Sequence, residues 1–235
     1  MKISNKTLDI MKNFSEINQS LVIKAGEKKF KSVSEMKNIL AHADVEEDFP
    51  VDFAIYDLNY FIMLNQKLNN PELDFQEKIV EMTDMKTKVP AGHDLQKQKF
   101  GYADPNVVKE TYPKKDIDMP DETINFTLLE QQYEQLKLMS SINKLNDILV
   151  KGCPKSNKIF LIVTNKKNVS SNDFTMQVGK GVTESYKMYF KTENLKMVPG
   201  DYNVNISKDR ISHFENMKTK LDYWIAMEPD SKYGA

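Results

Sequence analysis

The stretch MKNFSEINQSLVIKAG, residues 11–26, decides how this chain is to be read, because its letters return far downstream. Ser15, Ile17 and Asn18 are matched by Ser140 or Ser141, Ile142 and Asn143. A run of strand-forming residues ending in Lys and Gly follows each: LVIKAG at 21–26 and ILVKG at 148–152. A helix end, a turn and a strand are therefore written twice, half a chain length apart. The spacing predicts two domains of about 115 residues, an ordinary domain size with enough apolar residues for a core.

The order of elements repeats as well. Residues 5–18 predict a helix, with Leu8, Ile10, Met11, Phe14 and Ile17 on one face and Asp9, Lys12, Asn13 and Glu16 opposite. The runs LVIKAG, KKFKSV and NILAHADV read as strands, and VDFAIY leads into a second helix, DLNYFIMLNQKL, capped by Asp57. LDFQ and KIVEMT complete the first half. PNVVKETYPKKDIDMP, with three prolines and little periodicity, reads as an extended connector. In the second half the helix TLLEQQYEQLKLMSSIN has Leu128, Leu129, Tyr133, Leu136, Met139 and Ile142 on its apolar face. The strands DILVKG, KIFLIVT, DFTMQV and SYKMYF follow, then a short helix over 193–197 stopped by VPG, then DYNVNIS, ISHFEN and LDYWIAME. The expected class is α+β: two duplicated β-rich domains, each with two helices, at 1–104 and 121–235, joined by a connector at 105–120.

Composition narrows the classes. The longest wholly apolar run is IFLIV at 159–163, far short of the roughly 20 residues of a membrane helix, and MKISNKTLDI has no signal-peptide core. A single cysteine, Cys153, allows no internal disulfide and fits a reducing compartment. The expectation is a soluble intracellular protein. Net charge is −1, and of the 33 basic residues all but Arg210 are lysine. Lysine offers phosphate a hydrated point charge and lacks the fork with which arginine reads guanine; an AT-rich genome would give the same bias.

Catalytic chemistry is hard to find. His42, His93 and His213 lack metal-ligand spacing. VGKGVT at 178–183 lacks the leading glycine of a phosphate loop and reads as a turn; VEEDFP at 45–50 reads as a solvated loop; Cys153 has no base partner. No catalytic residue, metal site or cofactor is expected.

The pieces MKNFSEIN from Met11, AIYDLN from Ala54, ADPNVV from Ala103, LKMVPGDY from Leu195 and AMEPDS from Ala226 stand in a recognisable order. Together they resemble the sliding clamp, or DNA polymerase processivity factor, of T-even-type tailed phages. The resemblance runs end to end and departs mainly at 78–100 and 165–173. It implies a clamp fold and a head-to-tail homotrimeric ring whose helices surround duplex DNA, independent of sequence. Of the lysines this would turn toward the DNA, Lys12 and Lys137 lie on polar helix faces, Lys67 lies near the end of the second helix and Lys196 matches the family motif in position, with Lys6 and Lys144 behind them. Asp9, Glu16, Glu130 and Glu134 share those faces and dilute the positive field. It further implies phage DNA polymerase, a clamp loader and late-transcription factors coupling RNA polymerase as partners, no membrane, and the cytoplasm of an infected bacterium as location. Tyr112, Ile117, Met119, Trp224, Met227 and Pro229 would line the partner pocket. On the residues alone, a β-rich phage ring protein or a single-strand DNA binder is also compatible.

Overall fold

The computed structural model describes residues 1–108, 112–113, 117, 119–168 and 170–234. The chain divides into two compact units, Met1–Lys114 and Lys115–Ala235. In unit 1, α1 (Asn5–Ile17) is followed by β1 (Leu21–Ile23), β2 (Lys29–Val33), β3 (Ile39–Asp44) and β4 (Phe53–Ile55). Then come α2 (Leu58–Lys67), β5 (Glu72–Phe75), β6 (Ile79–Thr83), β7 (Lys97–Gly101) and α3 (Pro105–Val108). All pairings are antiparallel: β1 with β4, β2 with β3, and β5-β6-β7 as a three-stranded sheet.

Unit 2 contains β8 (Ile124–Leu128), α4 (Glu130–Asn143), β9 (Asp147–Cys153), β10 (Lys158–Thr164), β11 (Phe174–Lys180) and β12 (Tyr186–Lys191). A 3-10 turn (Thr192–Asn194), β13 (Tyr202–Ile206), β14 (Ile211–Asn216), β15 (Leu221–Ala226) and β16 (Lys232–Tyr233) complete it. One sheet runs β11-β10-β9-β12-β16; in the other, β8, β13, β14 and β15 lie side by side. Short alternating strands such as β13, buried at Tyr202, Val204 and Ile206, present one face to the core. Aromatic rings fill both cores. Phe30, Phe49, Phe53 and Phe75 form a chain of tilted contacts in unit 1, and in unit 2 Tyr133, Phe214 and Tyr223 each meet Tyr202 edge-on.

Four expectations change. The helix of unit 2 begins at Glu130, because 124–128 pairs with β13 as a strand. Its apolar face is narrower than the periodicity predicts: Tyr133 and Leu136 are buried, whereas Leu129 and Ile142 are about half and nearly two-thirds exposed. Lys144 adopts the left-handed conformation, and the chain turns so that Leu145, bonded to the Ser140 carbonyl, enters the core in place of Ile142. The short helix over 193–197 is only the 3-10 turn, since the carbonyls of Leu195 and Met197 are claimed by the buried Tyr133 hydroxyl and Val198 precedes a proline. The connector opens with helix rather than extended chain: Asp104 accepts the Asn106 N–H ahead of Pro105, a helix-start pair the sequence does contain. Finally, β7 has little apolar alternation and escapes a reading based on periodicity.

Candidate nucleic-acid interface

The helix of each unit is set by a carboxylate reaching in from elsewhere in the chain. Ser4 caps α1 through the Thr7 N–H, and Glu47 accepts from the Ser4 N–H and the Thr7 hydroxyl, both at 2.5 Å. Burial pushes the Glu47 carboxyl up, but the bonds from Thr7 and Ser4 outweigh it and hold it below its usual range. Glu47 is therefore no part of a solvated loop; it is buried and anchors the helix. In unit 2, Asp201 accepts the Glu130 N–H at 2.9 Å, and Gln132 reaches back to the Leu129 N–H. The bond from Glu130, followed by that from Lys218, lowers the Asp201 carboxyl as well. Neither carboxylate is legible from local spacing, because each acts across more than 40 residues.

The second helical element differs between the units. α2 packs on α1: the Leu58 N–H donates to the Gln19 carbonyl, and Ser15 Oγ lies 2.9 Å from Asn59 Oδ1. The 3-10 turn leaves α4 uncovered, and a cleft of about 220 Å³ opens between Leu136, Lys137, Ser140, Ser141, Ile148, Thr192, Glu193 and Leu195. Exposed on these elements are Lys6 and Lys12 of α1, Lys67 in the last turn of α2, Lys137 midway along α4 and Lys144 at its C-terminal cap; Lys196 is half-buried beyond the turn. Lys67 is well placed against the C-terminal end of its helix. Lys6 stands 3.6 Å from Glu46, and Lys137 leans over the Tyr133 ring at 5.4 Å.

Among the described residues no group of three or more His, Cys, Asp or Glu side chains is placed to hold a metal ion. The VGKGVT segment continues β11 into a turn whose Gly181 and Val182 N–H groups both donate to Asn157, so they are not a phosphate cradle. No described helix is long and apolar enough to cross a membrane. These observations leave a lysine-bearing helical surface on a duplicated β framework.

Comparison with known proteins decides what that framework is. Residues 2–98 match the DNA polymerase processivity factor family, and residues 125–229 match the gp45 sliding clamp, C-terminal family. The sliding clamp of Vibrio phage KVP40 is 35% identical over 232 residues, spanning 97% of this chain and 99% of that one. The chain belongs to the sliding-clamp family. The clamp of Enterobacteria phage T4 is 26% identical over 242 residues, 99% of each chain. The fold is that of A. fulgidus PCNA, solved bound to the C-terminal region of FEN-1, with a TM-score of 0.66, 9% identity and 98% coverage of each chain. The protein is thus a sliding clamp, a non-enzymatic DNA polymerase processivity factor acting with DNA and polymerase.

The residues expected to line the clamp's partner pocket fall in both units. In unit 1, Tyr112 donates to Glu27 at 2.8 Å, and Lys31 stands 5.8 Å from its ring. In unit 2, Ile117 and Met119 are half-buried, Trp224 stacks flat on His213 at 4.6 Å, Met227 is buried, and Pro229 is exposed with its carbonyl accepting from Arg210. Sequence reading missed what holds Met227 and Pro229 in place. Lys166 Nζ bridges Glu228 at 3.1 Å and Asp230 at 2.9 Å, Lys191 pairs with Asp147, and the Glu228 N–H bonds to the Tyr189 carbonyl. The acidic letters of AMEPDS were the available signal.

Proposed function

We propose that three copies of this chain join head to tail into a closed ring around duplex DNA, with the helices toward the DNA and the polymerase tethered to the ring. The observation that carries this reading is family membership over both halves of a duplicated chain. Head-to-tail joints are heterologous and close only for a particular rotation. A joint of this kind needs two different surfaces. Sheet edges β7 in unit 1 and β11 in unit 2 are candidates, since among the described residues each has one strand neighbour in its sheet and an open edge accepts another strand. Once a ring encircles the template, the polymerase on it cannot diffuse away between additions, and its effective concentration stays high.

On this reading Lys12, Lys67, Lys137 and Lys196 approach phosphates, with Lys144 at the margin and Lys6 weakened by Glu46. Trp224, Met227 and Pro229, with Tyr112, Ile117 and Met119, receive short partner segments from polymerase, a clamp loader and factors of late transcription. The site of action is the cytoplasm of the infected bacterium. Light scattering across a dilution series tests the ring: the expected species has three times the 27.2 kDa chain mass. Primer extension by the phage polymerase tests function, with longer products on circular templates and loss of the gain on short linear ones, where a ring slides off. A monomer at every concentration, together with unchanged product length, overturns the proposal.

A further inference from the structure

The outward faces of the helices carry uncharged groups in regular order. On α2, Tyr60, Met63 and Lys67 recur at helical spacing, with Tyr56 just ahead of the Asp57 cap. Tyr56, Tyr60 and Met63 are 55%, 42% and 50% exposed. The Tyr60 ring rests against Phe100, centroids 6.0 Å apart, so its phenol is presented from a packed base. On α4, Gln131, Gln135, Leu138 and Ile142 form one exposed stripe. The charges of these elements meanwhile cancel. On α1, on α2 with its cap Asp57, on α4 with its cap Lys144, and on the 192–196 segment, the six lysines Lys6, Lys12, Lys67, Lys137, Lys144 and Lys196 meet six carboxylates. These are Asp9, Glu16, Asp57, Glu130, Glu134 and Glu193.

A balanced surface attracts a polyanion weakly beyond a Debye length of about 10 Å. Contact then falls to groups that bond at short range without charge. Resting on the reading that these faces meet duplex DNA, we propose that Tyr56 and Tyr60 of unit 1 and Gln131 and Gln135 of unit 2 are DNA-contacting residues. Their phenol and amide groups donate neutral hydrogen bonds to phosphate and sugar oxygens. Tyrosine and glutamine are ordinary phosphate donors, and such bonds carry no sequence information. They release few counterions, so their contribution changes little with salt, whereas each lysine contact steepens the salt dependence. Weak, salt-insensitive contact suits a ring that is retained by topology and must still move.

The test is anisotropy of a short labelled duplex titrated with the full-length protein over a range of salt. Tyr56→Phe with Tyr60→Phe is expected to weaken binding roughly threefold to tenfold at every salt, leaving the slope of affinity against salt unchanged. Gln131→Ala with Gln135→Ala, on the other unit, is expected to do the same without touching the packing of α2. Lys12→Gln with Lys67→Gln is expected to flatten the slope. Wild-type affinity in both neutral pairs, with the whole loss in the lysine pair, overturns the inference. Wild-type protein that binds no duplex at any salt overturns the DNA-facing reading beneath it, a distinct result.

Discussion

The two units solve one problem in different ways. Each must hold a helix against a β framework and support the chain beside it. Unit 1 does so with a second helix: α2 packs on α1, and Ser15 meets Asn59 across the junction. Unit 2 has only a 3-10 turn there. The segment after it is held by tyrosines, Tyr133 at the Leu195 and Met197 backbone and Tyr202 at the Val198 carbonyl. Burial pushes the Tyr202 phenol up to about 12. The sequence echo is accordingly only partly a structural echo. Ile17 is buried while Ile142 is exposed, and Ser15 bridges two helices while Ser141 lines a cleft. Duplication preserved the layout, and each copy then found its own side-chain contacts for it.

That contrast is open to attack at Tyr133. Tyr133→Ala is expected to cost about 3–5 kcal/mol in denaturant unfolding, from lost packing and an emptied core site. Tyr133→Phe isolates the hydroxyl and should cost about 1–3 kcal/mol, because the loop backbone is left unsatisfied. Hydrogen exchange should speed up at 195–198 and not at α2. Equal speeding in both units would break the comparison.

The two capping carboxylates come next. Glu47→Ala is expected to cost about 1–3 kcal/mol near neutral pH, since it strips partners from buried donors at the start of α1. Asp201→Ala should cost less, its carboxylate being more open to solvent. The pH dependence follows from sign. Glu47 is depressed in the folded chain, so its contribution is full above its unfolded pKa and is lost as pH falls through the lower folded value. Melting curves of wild type and Glu47→Ala should therefore converge in acid, and a gap that stays constant with pH would remove the carboxylate from the explanation. The smallest effect is expected at the cleft. Ser141→Met, partly filling the space that α2 has no counterpart to fill, should add about 0.5–1 kcal/mol; a loss would show that the cleft is already closed by motion of its walls.

Much of this architecture was legible in the residues. Helical spacing located α1 almost to the residue, Asp57 announced α2, and short apolar alternations marked most strands. The echo at 11–26 revealed the duplication. The candidate site was legible only as types and faces: lysines on helices could be named, but their balance against carboxylates emerges only when those elements are known. Glu47 looked like one letter of an acidic loop, and Asp201 like the first letter of the strand DYNVNIS. Each caps a helix distant in sequence, and no window of local spacing contains both partners.

By itself, then, the sequence determined the α+β class, the internal repeat, the family and the set of lysines. These depend on periodicity and on order along the chain, which are local or linear properties. Tertiary structure alone decided which repeat keeps a full second helix, which serine bridges and which lines a cleft, and which carboxylates hold the helices. Those outcomes turn on whether a buried donor or acceptor finds a partner, and that partner is supplied by folding rather than by neighbourhood in the chain.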